Sequence, residues 1–135
     1  MKDSDFKKRL TPEQYAVMRE KGEEAPYSGA LLKNKKSGIY KCAACGTELF
    51  GSEHKFELPE YYPNAGWPSF SGVTDNKNIK LFEDNSHGMH RTEVICSNCD
   101  SHLGHLFDDG PTDTKEHYCV NSCALDFTPT EKDEN

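Results

Sequence analysis

The sequence has no long hydrophobic run. No stretch of its 135 residues approaches the roughly 20 consecutive apolar residues that a membrane-spanning helix needs. The opening residues, Met1 to Asp5, carry no apolar signal segment, and there is no internal repeat or lipidation motif. We therefore expect no membrane partner and a cytoplasmic, reducing environment.

An excess of positive charge is also missing. The chain has 16 Lys and Arg residues against 23 Asp and Glu residues, for a formal net charge of −7. Affinity for nucleic acid is built largely from Lys and Arg side chains that neutralise phosphates. The composition therefore argues against a nucleic-acid partner.

Apolar residues are scarce, at 34% of the chain. The length suits one domain, and a core this modest gains from a metal cross-link. We expect a flexible N-terminus at residues 1–10, one domain at residues 11–127 and a disordered tail at residues 128–135, where Pro129 cannot continue a strand ladder. We expect the protein to be a monomer.

Local signals predict one helix followed by short strands. Thr11 to Gln14 form a capping box with Pro12 at the first helical position, and Gly22 and Pro26 end the segment. Glycine-punctuated runs beyond Ser28 predict strands at 38–42, 47–50, 79–83, 90–95, 103–107 and 117–127. The predicted fold class is mainly β: a small single domain of twisted antiparallel sheets, tent- or barrel-like, with a short N-terminal helical segment and a structural zinc site.

Four of the six cysteines form two Cys-x-x-Cys pairs, Cys42 with Cys45 and Cys96 with Cys99. Two such pairs supply the four thiolates of a structural Zn²⁺ site, one per chain, which leaves no open coordination position. Iron can occupy the same thiolates, and two disulfides are the alternative. A reducing compartment favours metal binding over disulfide formation. No organic cofactor is expected.

The last predicted strand carries the remaining two thiols. Alternation of side chains along it places His117, Cys119, Asn121 and Cys123 on one face. The alternative is that both cysteines are buried and inert. Upstream, His102 and His105 follow the second cysteine pair, and the only tryptophan, Trp67, lies in a Gly-Trp-Pro-Ser-Phe loop. Histidines can supply protons and positive charge to a thiolate nucleophile, and an aromatic wall suits an apolar substrate group.

Five motifs occur together in one order: Gly66-Trp-Pro-Ser-Phe, His87-Gly-Met-His-Arg-Thr-Glu-Val, the paired cysteine knuckles, His102-Leu-Gly-His-Leu-Phe-Asp-Asp-Gly and Tyr118-Cys-Val-Asn-Ser. In order and spacing they closely resemble the B-type methionine sulfoxide reductases, the peptide-methionine (R)-S-oxide reductases. The resemblance covers about Pro12 to Phe127.

The resemblance implies a small β-fold oxidoreductase that reduces the R epimer of methionine sulfoxide, free or in proteins, and so repairs oxidative damage. Cys119 would be the nucleophile and pass through a sulfenic acid, with His102 or His105 protonating the oxygen and Asn121 orienting the substrate. Trp67 would receive the substrate methyl group, with His117 and Asp109 also at the substrate site. The reductant would be a thioredoxin-type protein or a small thiol.

Two departures from the family pattern concern the catalytic cycle. His117 stands where arginine is common, so we expect activity to fall more steeply with rising pH than in an arginine-bearing relative. Ala65 stands where many members carry a resolving cysteine, just after an apparent insertion at residues 57–64.

Cys123 is the only spare thiol that could resolve the sulfenic acid. Four residues along a strand span about 13 Å, whereas a disulfide needs Cα atoms within about 7 Å, so this pairing requires deformation. Direct reduction by an external thiol is the favoured route, with attack by Cys123 as the alternative.

Two other classes of function compete with this reading. A non-catalytic zinc module would bind a protein through the Trp67 loop, with Cys119 merely buried. A general thiol oxidoreductase would place its redox pair in one Cys-x-x-Cys, but both pairs here are assigned to metal.

Overall fold

The structure is a computed structural model, and it describes residues 3–62 and 64–130. Two short helices, α1 (Asp3–Arg9) and α2 (Pro12–Glu20), precede the strands. The strands of the described residues are β1 (Gly38–Cys42), β2 (Glu48–Gly51), β3 (Lys55–Phe56), β4 (Ser69–Phe70), β5 (Ile79–Asp84), β6 (Arg91–Cys96), β7 (His102–Phe107), β8 (His117–Val120) and β9 (Leu125–Pro129). None of the helices in these residues is long and apolar enough to cross a membrane.

The strands form two antiparallel sheets. The smaller has the order β2-β1-β9 and the larger the order β3-β4-β8-β7-β6-β5. In the larger sheet β8 lies between β4 and β7, with Cys119 directly opposite Ser69 on one side and His105 on the other. The arrangement confirms the predicted mainly β class.

Aromatic rings join the two sheets. Tyr40 and Phe50 of the smaller sheet contact Phe70 of the larger one, with ring centroids 5.0 and 4.4 Å apart. Tyr118 lies 5.8 Å from Phe50 and is nearly fully buried. Since Tyr118 precedes Cys119, this packing holds one face of β8 in the core and turns the other toward the site.

Helix α2 begins with the predicted capping box. The Thr11 hydroxyl accepts a hydrogen bond from the Gln14 N–H at 3.1 Å, and the Gln14 side chain accepts one from the Thr11 N–H at 2.9 Å. Lys21, in the left-handed region at φ 59°, ends the helix.

The segment predicted to be a flexible N-terminus differs in the structure, because Asp3–Arg9 is a helix. Phe6 is only 1% exposed, and the Arg19 guanidinium lies 3.9 Å from the centroid of its ring. Burial of this aromatic ring explains why a charged segment packs against α2.

The strand predicted at 117–127 is also wrong, because the structure divides it. Strand β8 ends at Val120, a 3₁₀ turn follows at Ser122–Ala124, and β9 pairs with β1 in the other sheet. Cys123 therefore lies on the turn rather than on the face of β8. Strand β9 continues to Pro129, past the predicted domain end, and residues 131–135 of the predicted tail lie outside the described residues.

Candidate active site

A cavity opens beside the centre of the larger sheet. It brings together three strands of that sheet, β6, β7 and β8, with the Trp67 loop and the chain that follows α2. The lining residues are Glu23, Asn64, Trp67, Arg91, Gly104, His105, Phe107, Cys119 and Asn121. Four of the residues predicted from sequence thus meet in one place: Trp67, His105, Cys119 and Asn121.

Cys119 lies at the base of this cavity, with 9% of its surface exposed. Its sulfur is 3.9 Å from the Asn64 carbonyl oxygen. Burial raises the pKa of Cys119 to about 12, and the nearby negative charges of Glu23, Asp109 and Glu24 contribute. The resting side chain is therefore a neutral thiol, and formation of a thiolate requires help from the substrate or a neighbouring base.

His105 is held at the cavity wall by acidic side chains. Its Nε2 lies 2.8 Å from Asp84 Oδ2, and its Nδ1 lies 3.8 Å from Glu23 Oε1. Hydrogen bonds from Ser86 and then His105 hold the pKa of Asp84 well below its usual range. Arg91 lies 3.5 Å from both carboxylates. The ionised Asp84 is a hydrogen-bond acceptor and thereby selects the His105 form that carries a proton on Nε2.

His102 lies behind His105 and is not among the residues that line the cavity. Its ring centroid is 5.4 Å from that of His105, and its Nδ1 is 2.7 Å from Glu93 Oε2. Burial lowers the pKa of His102, against the opposing effect of Glu93. Its Nε2 is buried with no hydrogen-bond partner among the described residues. Of the two histidines, the structure thus brings only His105 to the cavity that holds the thiol.

Trp67 and Asn121 are both oriented by Glu24. The Trp67 indole N–H donates to the Glu24 carbonyl at 3.0 Å. The Asn121 Oδ1 accepts from the Glu24 N–H at 3.0 Å, and its Nδ2 donates to the Leu103 carbonyl at 3.0 Å. Both side chains therefore reach the cavity in defined orientations.

His117 is fully buried and lies outside the cavity lining. Its Nδ1 is 2.7 Å from Asp109 Oδ1, and its Nε2 is 2.9 Å from Ser69 Oγ. Among the described residues no hydrogen bond joins it to Cys119. His117 and Asp109 together hold the end of the Trp67 loop, a role that the sequence did not suggest.

The two cysteine knuckles come together as predicted. The four sulfurs all lie within 4.8 Å of one another, with Cys42 and Cys99 at 3.7 Å and Cys45 and Cys96 at 3.6 Å. These separations are far longer than a disulfide bond, and all six cysteines are free. A tetrahedron with metal–sulfur bonds of about 2.3 Å has edges of about 3.8 Å, so the donor set fits a four-thiolate metal ion.

Comparison with known proteins identifies the family to which this chain belongs. The SelR domain matches residues 10–129. The chain belongs to the SelR domain family. "Peptide methionine sulfoxide reductase MsrB" of Methanosarcina mazei is 54% identical over 129 residues, covering 96% of this chain and 89% of that protein. The MsrB of Leptospira interrogans is 50% identical over 125 residues, covering 93% of this chain and 92% of that protein.

A mitochondrial relative and a solved structure extend the comparison. "Methionine-R-sulfoxide reductase B3, mitochondrial" of Mus musculus is 48% identical over 130 residues, covering 96% of this chain and 49% of that protein. The crystal structure of the Mis18 "Yippee-like" domain superposes with a TM-score of 0.53 at 14% identity, covering 70% of this chain and 98% of that one. The likeness to the Mis18 domain shows only a shared fold.

In this SelR domain Cys123 lies apart from the cavity that holds Cys119. It lines a separate groove with Gln14, Leu31 and Phe127. Burial raises the pKa of Cys123 to about 12, and the nearby Glu24 adds to this. In the described conformation Cys123 is therefore a poor nucleophile and does not face Cys119.

Sequence reasoning missed several acidic and basic residues around the SelR site. Arg91 and Glu93 belong to the His87-Gly-Met-His-Arg-Thr-Glu-Val motif, which does not by itself indicate what either side chain contacts. In the sequence, Asp84 directly follows the strand predicted at 79–83 and lies in no recognised motif. Glu23 and Glu24 look like ordinary charged residues after a helix. Only the fold brings these side chains to the cavity and its histidines.

Proposed function

We propose that this chain reduces the R epimer of methionine sulfoxide to methionine, free or within proteins, and so repairs oxidative damage. The observation that carries the proposal is the placement of Cys119 opposite His105 in a cavity walled by Trp67. Membership of the SelR family supports it, because relatives near 50% identity over nearly the whole chain are named methionine sulfoxide reductases.

In the proposed reaction the Cys119 sulfur attacks the sulfoxide sulfur. The sulfoxide oxygen then passes to the Cys119 sulfur as its bond to the substrate sulfur and the newly formed S–S bond both break, so that the thiol and the sulfoxide become a sulfenic acid and a thioether. The sulfoxide is reduced by two electrons and the cysteine is oxidised by two. Since the resting thiol is protonated, its proton must move toward the sulfoxide oxygen as the S–O bond breaks.

We assign the proton transfer to His105. It lines the cavity with Cys119, and Asp84 orients its ring. His102 would support His105 from behind, through ring contact and its own bond to Glu93. The Trp67 ring would contact the substrate methyl group, and the Asn121 amide would orient the sulfoxide, so that one epimer presents its oxygen to His105.

A second groove adjoins the cavity and supports a protein-bound substrate. It shares Arg91 and Phe107 with the cavity and has a volume of about 430 Å³. Its other lining residues are His90, Thr92, Leu106, Asp108, Thr114, Lys115 and Glu116. Residues that flank an oxidised methionine in a polypeptide would lie here.

For recycling we propose direct reduction of the Cys119 sulfenic acid by an external thiol or thioredoxin-type protein. Two thiols then become a disulfide and release water. The placement of Cys123 in a separate groove supports this route. Cys123→Ser should retain turnover with a protein reductant, whereas loss of turnover with intact single-turnover reduction would assign resolution to Cys123.

We propose that the metal held by Cys42, Cys45, Cys96 and Cys99 is a structural Zn²⁺. Four thiolates complete its coordination and leave no position for substrate, so it would stabilise the fold rather than take part in the chemistry. The six free cysteines are also consistent with a reducing, cytoplasmic environment, which we propose as the compartment.

The test is turnover of methionine-R-sulfoxide and methionine-S-sulfoxide peptides, and of the free amino acids, with dithiothreitol as reductant. We expect reduction of the R epimer alone and none in Cys119→Ser. No turnover of either epimer by the folded, metal-loaded protein would contradict the proposal and favour a non-catalytic binding module.

A further inference from the structure

Glu24 is a buried carboxylate that lies next to the cavity without lining it. Only 4% of the residue is exposed, and glutamate is rarely buried unless its charge is compensated. Two backbone donors compensate it here. The Ser122 N–H donates to Oε2 at 2.8 Å, and the Cys123 N–H donates to Oε1 at 3.0 Å. Such charge-assisted bonds are stronger than those between neutral groups.

The backbone of the same residue holds both groups that we assign to substrate orientation. The Glu24 N–H donates to the Asn121 side chain, and the Glu24 carbonyl accepts from the Trp67 indole, each at 3.0 Å. Trp67 and Asn121 lie on separate elements and are far apart in sequence. Glu24 is thus a common hydrogen-bonding partner of the two.

Residues 24–31, which we call the clasp, continue these contacts on both sides. The Tyr27 N–H donates to the Gly66 carbonyl at 2.8 Å, next to Trp67, and the Leu31 N–H donates to the Ser122 hydroxyl at 2.9 Å. A Cβ atom on Gly29 would lie 2.3 Å from the Cβ of Ser122. The clasp therefore approaches the Ser122 turn so closely that only glycine fits at position 29.

We propose that Glu24 is a positioning residue for the reduction. Its carboxylate anchors the clasp on the Ser122–Cys123 turn, and the anchored backbone sets the positions of Trp67 and Asn121. The inference rests on the proposed function for its catalytic meaning, but the positioning itself can be measured without substrate.

Glu24→Gln removes the carboxylate that anchors the clasp but keeps the size of the side chain. The amide oxygen can accept one of the two backbone N–H groups, but the amide nitrogen then meets the other donor, so a buried N–H loses its partner. The clasp should shift toward solvent, and Trp67 with it. Because misplacement of a positioning group by about 1 Å can cost about 10²-fold in rate, we expect kcat/KM to fall on the order of 10- to 100-fold.

Trp67 is the only tryptophan, so its fluorescence reports directly on the clasp. In the substrate-free protein, Glu24→Gln should shift Trp67 emission to longer wavelength and increase quenching by acrylamide. The matched control is Glu20→Gln, which removes one exposed negative charge at the end of α2. Gly29→Ala should reproduce the emission change by displacing the clasp sterically, even if Glu24→Gln fails to fold.

Kinetics distinguish positioning from a general loss of stability. Glu24→Gln should lower kcat/KM less in an Asn121→Ala background than in the wild type, because the two changes act through one contact. Unchanged Trp67 emission in both folded clasp variants, or equal losses of kcat/KM in the two backgrounds, would overturn the inference. An inactive wild type with the expected emission changes would refute the proposed function and leave the positioning intact.

Discussion

At the scale of the residue, the cavity opposes ionisation of Cys119, the proposed nucleophile. Burial is the main cause of the raised pKa of Cys119, and the largest contribution from a charge is that of Glu23, which also faces Arg91 and His105. Sequence alternation correctly indicated that Cys119 faces a polar site. It could not indicate the direction of its pKa shift, because the carboxylates that contribute come from distant parts of the chain.

Glu23→Gln should lower the pKa of Cys119. Loss of a nearby negative charge favours the thiolate, so the rate of Cys119 alkylation by iodoacetamide should rise at a lower pH than in the wild type. Glu20→Gln is again the control for net charge. A profile that is unchanged or moves to higher pH would mean that Glu23 does not act on the thiol.

Asp84→Asn should impair proton transfer by His105. The neutral amide no longer selects the proton on Nε2, and its NH₂ group can donate to that nitrogen instead. We expect kcat to fall by about 10²-fold or more, with KM nearly unchanged. Glu83→Gln on the same strand removes an exposed charge as a control. Equal losses in both variants would contradict a specific role for Asp84.

At the scale of the element, the strands were easier to predict than their ends. The run from Gly38 to Cys42 forms β1 at the predicted bounds, because alternating burial is visible in the sequence. The run from His117 to Phe127 does not stay in one sheet. Its break depends on Glu24, about a hundred positions away, which accepts the N–H groups of Ser122 and Cys123.

Each cysteine knuckle lies where two neighbouring strands of one sheet are joined, and the two knuckles belong to different sheets. Cys42 ends β1 and Cys45 lies in the turn to β2, whereas Cys96 ends β6 and Cys99 lies in the turn to β7. Their local spacing allowed the metal site to be predicted, because each pair is contiguous in sequence. The metal would add its binding free energy to a fold whose two sheets also meet through buried aromatic rings.

Removal of the metal should therefore unfold the protein. We expect a strong chelator to release one Zn²⁺ per chain and to abolish the β-sheet signal in circular dichroism together with activity. Adding Zn²⁺ back under reducing conditions should restore both. A chelated protein that keeps its melting temperature would contradict a structural role for the metal.

At the scale of the whole molecule, the candidate active site is assembled from five separated segments: the chain after α2, the Trp67 loop, the start of β6, β7, and β8 with the residue that follows it. The motifs identified Trp67, His105, Cys119 and Asn121 because each lies in a recognisable pattern. Glu23, Glu24 and Asp84 lie in no such pattern, and their roles depend on contacts that only the folded chain creates.

The central claim is that Cys119 accepts the sulfoxide oxygen. The most direct measurement is a single turnover of a methionine-R-sulfoxide peptide without reductant, followed by dimedone treatment and mass spectrometry of the protein. We predict up to one equivalent of methionine per chain and a dimedone adduct on Cys119 alone, most clearly in Cys123→Ser, where no internal thiol can compete. Methionine formation without oxidation of Cys119, or undiminished formation in Cys119→Ser, would contradict the account.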